Sequence, residues 1–255
     1  MYVRTFGLMA SITLYVLASG HAIAADKATE AAITAALGDT SRPPADVQRD
    51  GPRKPTEMLA FAEVGAGSKV GELIPGGGYF TRIFAKTVGP KGKVYALVSP
   101  PQPGQPDRTA AVKAIAAEPG YSNVQVVEAS YLDMQVPEPL DVIWTSQNYH
   151  DLHLKRLNLD VGAVNKQVLK VLKPGGLYIV LDHAAAAGSG LRDPDTLHRI
   201  DPATVKSELE AAGFEYVGES TVLRNDKDDK SKSVFDPALR GNTDQFVYKF
   251  RKPGK

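Results

Sequence analysis

The chain of 255 residues contains no cysteine, and this sets the first limit on its chemistry. Without thiols it can form neither a disulfide framework nor a thiolate metal site, and an oxidising compartment poses no hazard to it. An excess of charge of either sign is also lacking, because 30 Lys and Arg side chains face 29 Asp and Glu side chains. Such a balanced chain has no field that attracts a polyanion, so we expect no nucleic-acid partner.

A leader-like apolar run stands at the N-terminus. Arg4 precedes an apolar stretch that ends near Ala18, and small residues follow at Ala22 and Ala24. This order is typical of a secretory signal peptide, so residues 1–24 are predicted to be removed on export to a bacterial periplasm. An uncleaved anchor is the alternative, but the run is shorter than the roughly 20 apolar residues that a membrane span needs. We therefore expect no stable membrane insertion after cleavage.

Residues 25–55 are predicted to form a helical segment, which is either a lid over a pocket or a solvated charged surface. From Thr56 onward, strand patterns alternate with helical ones, which predicts a mostly parallel sheet with helices on both faces in one domain of residues 56–255. Strands are predicted near residues 69–74, 93–98, 124–128, 141–145, 176–182, 214–223 and 245–250. Helices are predicted near residues 79–88, 108–118 and 158–172, and between an N-cap at Asp201 and Gly213.

Three consecutive glycines separate the first predicted strand of this domain from the helix that follows, in the segment LIPGGGYFTRIF. Ligands of open parallel sheets bind beyond the carboxyl ends of the strands, and this first turn is their usual place. Gly76, Gly77 and Gly78 lack a Cβ, so a ligand can lie against the backbone there, although a plain tight turn would use the same residues. The spacing is not the dinucleotide G-x-G-x-x-G, because its third glycine is missing.

The stretch VGELIPGGGYFT resembles motif I of the class I S-adenosylmethionine-dependent methyltransferases. GPKGKVYAL is similar to the second strand of that superfamily, and VLKPGGLYIVLDH is similar to the turn into its fifth strand. The resemblance covers roughly residues 56–251. It implies a Rossmann-like, seven-stranded, mostly parallel sheet of order 3-2-1-4-5-7-6. It also implies a methyltransferase that uses S-adenosylmethionine and acts on a small-molecule acceptor.

The resemblance assigns cofactor-binding positions. They are Glu72, Pro75, Gly76, Gly77, Gly78, Tyr79, Val98, Ser130 and Tyr131. Three residues depart from the family pattern: Ile74 replaces the first glycine of the loop, Val98 replaces an acid for the ribose hydroxyls, and Ser130 replaces an acid that faces the adenine. Loss of one such carboxylate contact weakens binding by about 1.5–3 kcal/mol.

Four residues are predicted to be catalytic: His150 and Asp151 just past the fourth strand, His183 at the end of the fifth, and His198 in the loop beyond it. Methyl transfer to oxygen or nitrogen requires the acceptor to lose a proton. A histidine accepts a proton near neutral pH, and a neighbouring carboxylate can orient its ring. The alternative is that these side chains only hydrogen-bond to loop backbones.

Two further alternatives concern the same histidines. A transition-metal site is also suited by His150, His183 and His198, with Asp151 or Asp182. No H-E-x-x-H signature is present, so no metal ligand is assigned.

The alternative function is that of an exported methyltransferase-fold protein that has lost cofactor use. Such a protein would act as a periplasmic binding protein or a His/Asp metal-dependent enzyme, and the two missing acids support it.

Overall fold

The structure, a computed structural model, describes residues 27–101 and 107–254, so the predicted leader lies outside the described residues. The strands of the described residues are β1 Lys69–Leu73, β2 Lys93–Val98, β3 Val124–Glu128, β4 Leu140–Ser146, β5 Leu172–His183, β6 Glu215–Ser220 and β7 Gln245–Arg251. They form one sheet in the order β3-β2-β1-β4-β5-β7-β6, which confirms the predicted order.

Strands β1 to β5 run parallel, and β7 lies antiparallel between β5 and β6. The carboxyl ends of β1, β2, β4 and β5 therefore meet at one edge of the sheet. The glycine turn follows β1 and His150 and Asp151 come soon after β4, so the topology brings them to a single edge.

The helices of the described residues are α1 Lys27–Leu37, α2 Pro44–Val47, α3 Asp50–Arg53, α4 Pro55–Phe61, α5 Tyr79–Val88, α6 Ala110–Ala117, α7 Val161–Val171, α8 Pro194–Leu197 and α9 Pro202–Ala212. The Asp160 and Asp201 side chains cap α7 and α9 by accepting backbone N–H groups of their first turns. Helix α7 ends before the predicted residue 172, because Leu172 already pairs with Leu140 in the sheet. Among these helices none is long and apolar enough to cross a bilayer.

Each face of the sheet has its own hydrophobic core. On one face Trp144 packs edge-on against Phe80 and Phe84 of α5. On the other, Tyr178 packs against Phe214 among the buried residues of α7 and α9. Helices therefore cover both faces, as the alternating sequence pattern predicts.

The N-terminal segment packs onto α5. Arg42 forms a two-point ion pair with Asp50, with N–O distances of 2.6 and 2.8 Å. Asp46 pairs with Arg82 at 3.0 Å, and both Arg42 and Asp46 are buried. Asp46 and Asp50 of this segment thus contact the domain, while Arg49 and Lys54 are exposed, so the segment is a packed contact in part and a solvated charged surface in part.

Candidate active site

The turn between β1 and α5 has the left-handed backbone that its glycines predict. Gly76 and Gly78 have φ angles of 57° and 78°. A Cβ on Gly78 would lie 2.1 Å from Ile115 Cδ1, whereas Cβ positions on Gly76 and Gly77 meet nothing within 4 Å. Gly78 is therefore required by packing, and Gly76 and Gly77 are the two glycines that face open space.

Ile74, which replaces the first glycine of the family pattern, takes a left-handed conformation, with φ at 55°. A β-branched residue rarely adopts this region, and the conformation costs about 1–2 kcal/mol. Asn148 Nδ2 donates to the Ile74 carbonyl at 2.8 Å, and the Ile74 N–H donates to Leu97 at 3.1 Å. These contacts preserve the shape of the turn without its first glycine.

A pocket of about 1030 Å³ opens above this turn at the carboxyl edge of β1 and β2. It is lined by residues 74–77, 98–101, 107, 108 and 111, by Tyr131, Asn148 and Asp151, and by residues 156 and 157. Of the positions that the resemblance assigns to the cofactor, this wall contains Pro75, Gly76, Gly77, Val98 and Tyr131. A smaller pocket of about 330 Å³ lies at the opposite edge, next to Gly67.

Glu72, Tyr79 and Ser130 lie off the pocket wall. Glu72 is only 4% exposed, and the Thr81 hydroxyl donates to its Oε2 at 2.5 Å. Burial raises the pKa of Glu72 to about 8, so this side chain is a neutral acid at pH 7 that ties β1 to α5.

Tyr79 faces the N-terminal segment, because its hydroxyl donates to Asp50 at 2.7 Å and the Arg53 guanidinium lies 4.8 Å from its ring centre. Ser130 is exposed and accepts the Leu132 N–H at 3.2 Å, which closes its own turn. The structure thus gives both residues local partners away from the pocket.

His150 is anchored by Asp182 at the end of β5. Asp182 Oδ2 accepts the His150 backbone N–H at 2.7 Å, and Oδ1 lies 2.8 Å from His150 Nδ1. Asp182 Oδ1 also accepts the His183 N–H at 2.7 Å. Burial opposes charge on both side chains, but their mutual attraction outweighs it, so the pKa of His150 is raised and the pKa of Asp182 is lowered.

Asp151 and His198 complete the cluster around His150 Nε2. His198 Nδ1 lies 3.3 Å from this atom, and Asp151 Oδ1 lies 3.5 Å from it. Asp151 lines the pocket, whereas His150 is only 3% exposed and lies behind it. Burial raises the pKa of Asp151 and lowers the pKa of His198.

His183 turns away from this group. Its Nδ1 lies 2.7 Å from the Thr243 hydroxyl, and burial lowers the pKa of His183 to about 4. The structure therefore brings together three of the four residues predicted to be catalytic and adds Asp182. His183 stays a neutral structural side chain at neutral pH.

Several pocket residues were missed by the sequence analysis: Asp107, Arg108, Asn148 and Arg156. Asn148 belongs to the QNYH segment that follows β4, and its place at a strand end was a usable signal. Asp107 and Arg108 lie in the turn before α6 and Arg156 lies in a short 3-10 helix, and no pattern in the sequence indicates that they face a pocket.

No family model matches this chain. An S-adenosylmethionine-dependent methyltransferase from Aquifex aeolicus has a similar structure, with a TM-score of 0.57 and 18% identity over 87% of this chain and 97% of that one. A putative sarcosine dimethylglycine methyltransferase from Galdieria sulphuraria matches with a TM-score of 0.59 and 17% identity over 82% and 88% of the two chains. The [4+2]-cyclase SpnF matches with a TM-score of 0.56 and 18% identity, covering 83% and 82%.

These likenesses establish the fold of the class I methyltransferases, Rossmann-like and mostly parallel. Because a cyclase and methyltransferases are similar to this chain to the same degree, the fold alone does not define the reaction. The reaction has to be argued from the pocket and from the cluster beside it.

Proposed function

We propose that this protein is an S-adenosylmethionine-dependent methyltransferase that acts on a small-molecule acceptor. The observation that carries the proposal is the bare turn at Gly76 and Gly77, which opens onto a pocket of about 1030 Å³ at the carboxyl edge of a methyltransferase fold. Ligand pockets for small molecules usually measure about 300–1,000 Å³, so this one has room for a nucleoside cofactor beside an acceptor.

The residues on the pocket wall suit this cofactor. The backbone of Gly76 and Gly77 would hold it at the start of α5, and the Tyr131 ring offers a surface for the adenine. Val98 brings no carboxylate to the ribose, but Asp107 supplies one on the same wall, and Thr109 holds it by donating from its N–H at 2.8 Å and its hydroxyl at 2.6 Å. Bound S-adenosylmethionine supplies an electrophilic methyl group.

We propose an oxygen or nitrogen acceptor whose proton passes to His150. A carboxylate can only accept, so Asp182 accepts the Nδ1–H of His150, and in the neutral ring the lone pair is then on Nε2. Oδ1 of Asp151, the member of the cluster that lines the pocket, lies 3.5 Å from this nitrogen. Asp151 would receive the acceptor beside His150, and Asp182 would hold the imidazole in the orientation of a general base.

The test uses glycine variants and the affinity for S-adenosylhomocysteine, measured by calorimetry. Gly77→Val places a branched side chain on the pocket wall at a position without left-handed strain, and we expect affinity to fall by about a hundredfold or more. Gly76→Val should do the same. Gly67→Val is the matched control, because Gly67 is left-handed and open but belongs to the opposite edge. Unchanged affinity in folded Gly77→Val protein would contradict the proposed site.

A second candidate function is ligand binding or hydrolysis on this fold without the cofactor. Val98 on the pocket wall and the exposed Ser130 favour it, because both lack the carboxylate of the family pattern. It predicts that the parent protein binds neither S-adenosylmethionine nor S-adenosylhomocysteine at millimolar concentration. The parent measurement in the same calorimetric series separates the two functions.

We also propose export to the periplasm, on the leader pattern of residues 1–24 alone. Intact-mass measurement of protein from a bacterial periplasmic fraction should show a chain that begins at Ala25 or Asp26. A soluble cytoplasmic protein that keeps Met1 would contradict this.

A further inference from the structure

Three side chains beside the pocket each place a ligand atom within 4 Å of the other two. His150 Nε2 lies 3.3 Å from His198 Nδ1 and 3.5 Å from Asp151 Oδ1, and the latter two atoms are 3.9 Å apart. Ligand atoms bound at about 2.0–2.1 Å around a tetrahedral zinc ion are about 3.3–3.4 Å apart. Two of the three distances are close to that spacing, and the third, at 3.9 Å, is longer.

The hydrogen bonds of His150 prepare it for this role. Its Nδ1–H is held by the buried carboxylate of Asp182, so the lone pair of Nε2 faces the other two side chains. Metal-binding histidines commonly donate their second N–H to a carboxylate, which fixes the ring and makes the ligand nitrogen more basic. Asp182 is 0% exposed and is therefore in the position of such a supporting carboxylate.

The charge of the cluster also favours a cation. Asp182 is fully buried and the Asp151 side chain is 23% exposed, and in residues 27–101 and 107–254 no Lys or Arg nitrogen lies within ion-pair distance of either carboxylate. Asp182 is stabilised by His150 and by two backbone N–H groups. A divalent ion would therefore chiefly offset the charge of Asp151.

We propose that His150, Asp151 and His198 bind a divalent first-row transition-metal ion such as zinc, with an open coordination position toward the pocket. Two histidines and one carboxylate are a ligand set that suits such ions and leaves room for a further ligand. His183 is not a ligand, because among the described residues the ligand atoms that lie within 4.8 Å of one another come from His150, Asp151 and His198. The metal ion and a proton would bind the same lone pair of His150. The metal-bound protein is therefore a different state from the one in which His150 acts as a base. The metal proposal does not rest on methyl transfer.

The experiment uses the full chain, loaded with Zn²⁺ and dialysed before elemental analysis. We expect about one zinc per chain in the parent protein, and substitution by Co²⁺ should give the visible absorption of a tetrahedral site. His198→Asn and Asp151→Ala should each weaken zinc binding by about a hundredfold or more. Asparagine is chosen because residue 198 has a φ of 53°, which asparagine tolerates.

His153→Gln is the matched control, because this histidine pairs with Glu208 at 3.1 Å outside the cluster. It should retain zinc like the parent. Loss of zinc in the two cluster variants, with retention in the control, supports the site. A parent protein that retains no zinc, or a folded His198→Asn variant that binds it as tightly as the parent, overturns the proposal and leaves the cluster a hydrogen-bonded group.

Discussion

Two carboxyl groups lie buried near the same edge of the sheet and are held in opposite states. Glu72 lies under the glycine turn, where burial raises its pKa to about 8. Asp182 lies under the histidine cluster and is buried as deeply, yet its pKa is lowered. Depth of burial therefore does not decide the state of a carboxyl group.

The difference comes from the donors. Glu72 accepts one hydroxyl, from Thr81, while Asp182 accepts two backbone N–H groups and the imidazole of His150. Hydrogen bonds to the charged form favour it over burial. Glu72 is thus a neutral link between strand and helix, and Asp182 is an anionic anchor. This places the acid–base chemistry of the pocket on the histidine side.

Replacement of each acid by its amide tests the contrast most strongly. Asp182→Asn removes the negative charge that holds His150. It also places an amide NH2 group, itself a donor, among the backbone and imidazole N–H donors. We therefore expect a loss of about 2–4 kcal/mol in unfolding free energy at pH 7. Chemical denaturation measures it. Asp195→Asn is the control. Its partly exposed carboxylate is 4.0 Å from Lys155 Nζ, and the amide oxygen can still accept the Lys155 backbone N–H that Oδ1 accepts at 3.2 Å, so the change should matter by less than about 0.5 kcal/mol. A loss no larger than in the control would remove the anchor role of Asp182.

Glu72→Gln should change the pH dependence of stability. Because the folded pKa of Glu72 lies above its ordinary value, between about pH 5 and 8 the unfolded chain has released this proton and the folded chain keeps it. Its contribution to the unfolding free energy therefore falls as pH rises, by up to about 1.4 kcal/mol per pH unit. The glutamine variant lacks this pH-dependent contribution, so its unfolding free energy should rise relative to that of the parent as the pH increases. Parallel pH profiles for the two proteins would show that Glu72 is ionised when folded.

Two glycines of the turn differ in their surroundings, because Gly78 is packed against Ile115 and Gly77 faces open space. Gly78→Ala places a methyl group against Ile115 at a left-handed position, and should cost about 1–3 kcal/mol of stability. Gly77→Ala meets no atom and should stay within about 0.5 kcal/mol of the parent. Thermal or chemical denaturation compares them. Equal losses would mean that the turn packs differently from the structure.

Tyr79→Phe is the mildest test, since it removes one hydroxyl from Asp50, which keeps its two bonds to Arg42. We expect a stability loss of about 1 kcal/mol and an S-adenosylhomocysteine affinity within about twofold of the parent. A tenfold loss of affinity would instead return Tyr79 to the cofactor site that the family resemblance assigns.

The sequence predicted what is local and what topology fixes. The mostly parallel sheet follows from the alternation of elements, and the strand order was implied by the motif resemblance. The glycine turn is one contiguous segment whose backbone needs are visible in its residues. The place of His150 just past a strand end also followed from the order of elements along the chain.

What the sequence did not predict depends on side-chain direction. His183 and His150 both stand near the ends of parallel strands, yet one turns to Thr243 and the other to Asp182. Burial decides the pKa of Glu72 and hydrogen-bond donors decide the pKa of Asp182, and both effects come from side chains and backbone groups that only the folded protein brings together. Single positions in a sequence do not carry that information.

The most direct test of the central claim is a crystal structure of the protein with S-adenosylhomocysteine. We expect electron density for the adenosyl group between the Gly76–Gly77 backbone and Tyr131, with the sulfur end directed toward Asp151. Density at the opposite edge near Gly67, or a pocket without density at a saturating concentration of the ligand, would contradict the claim.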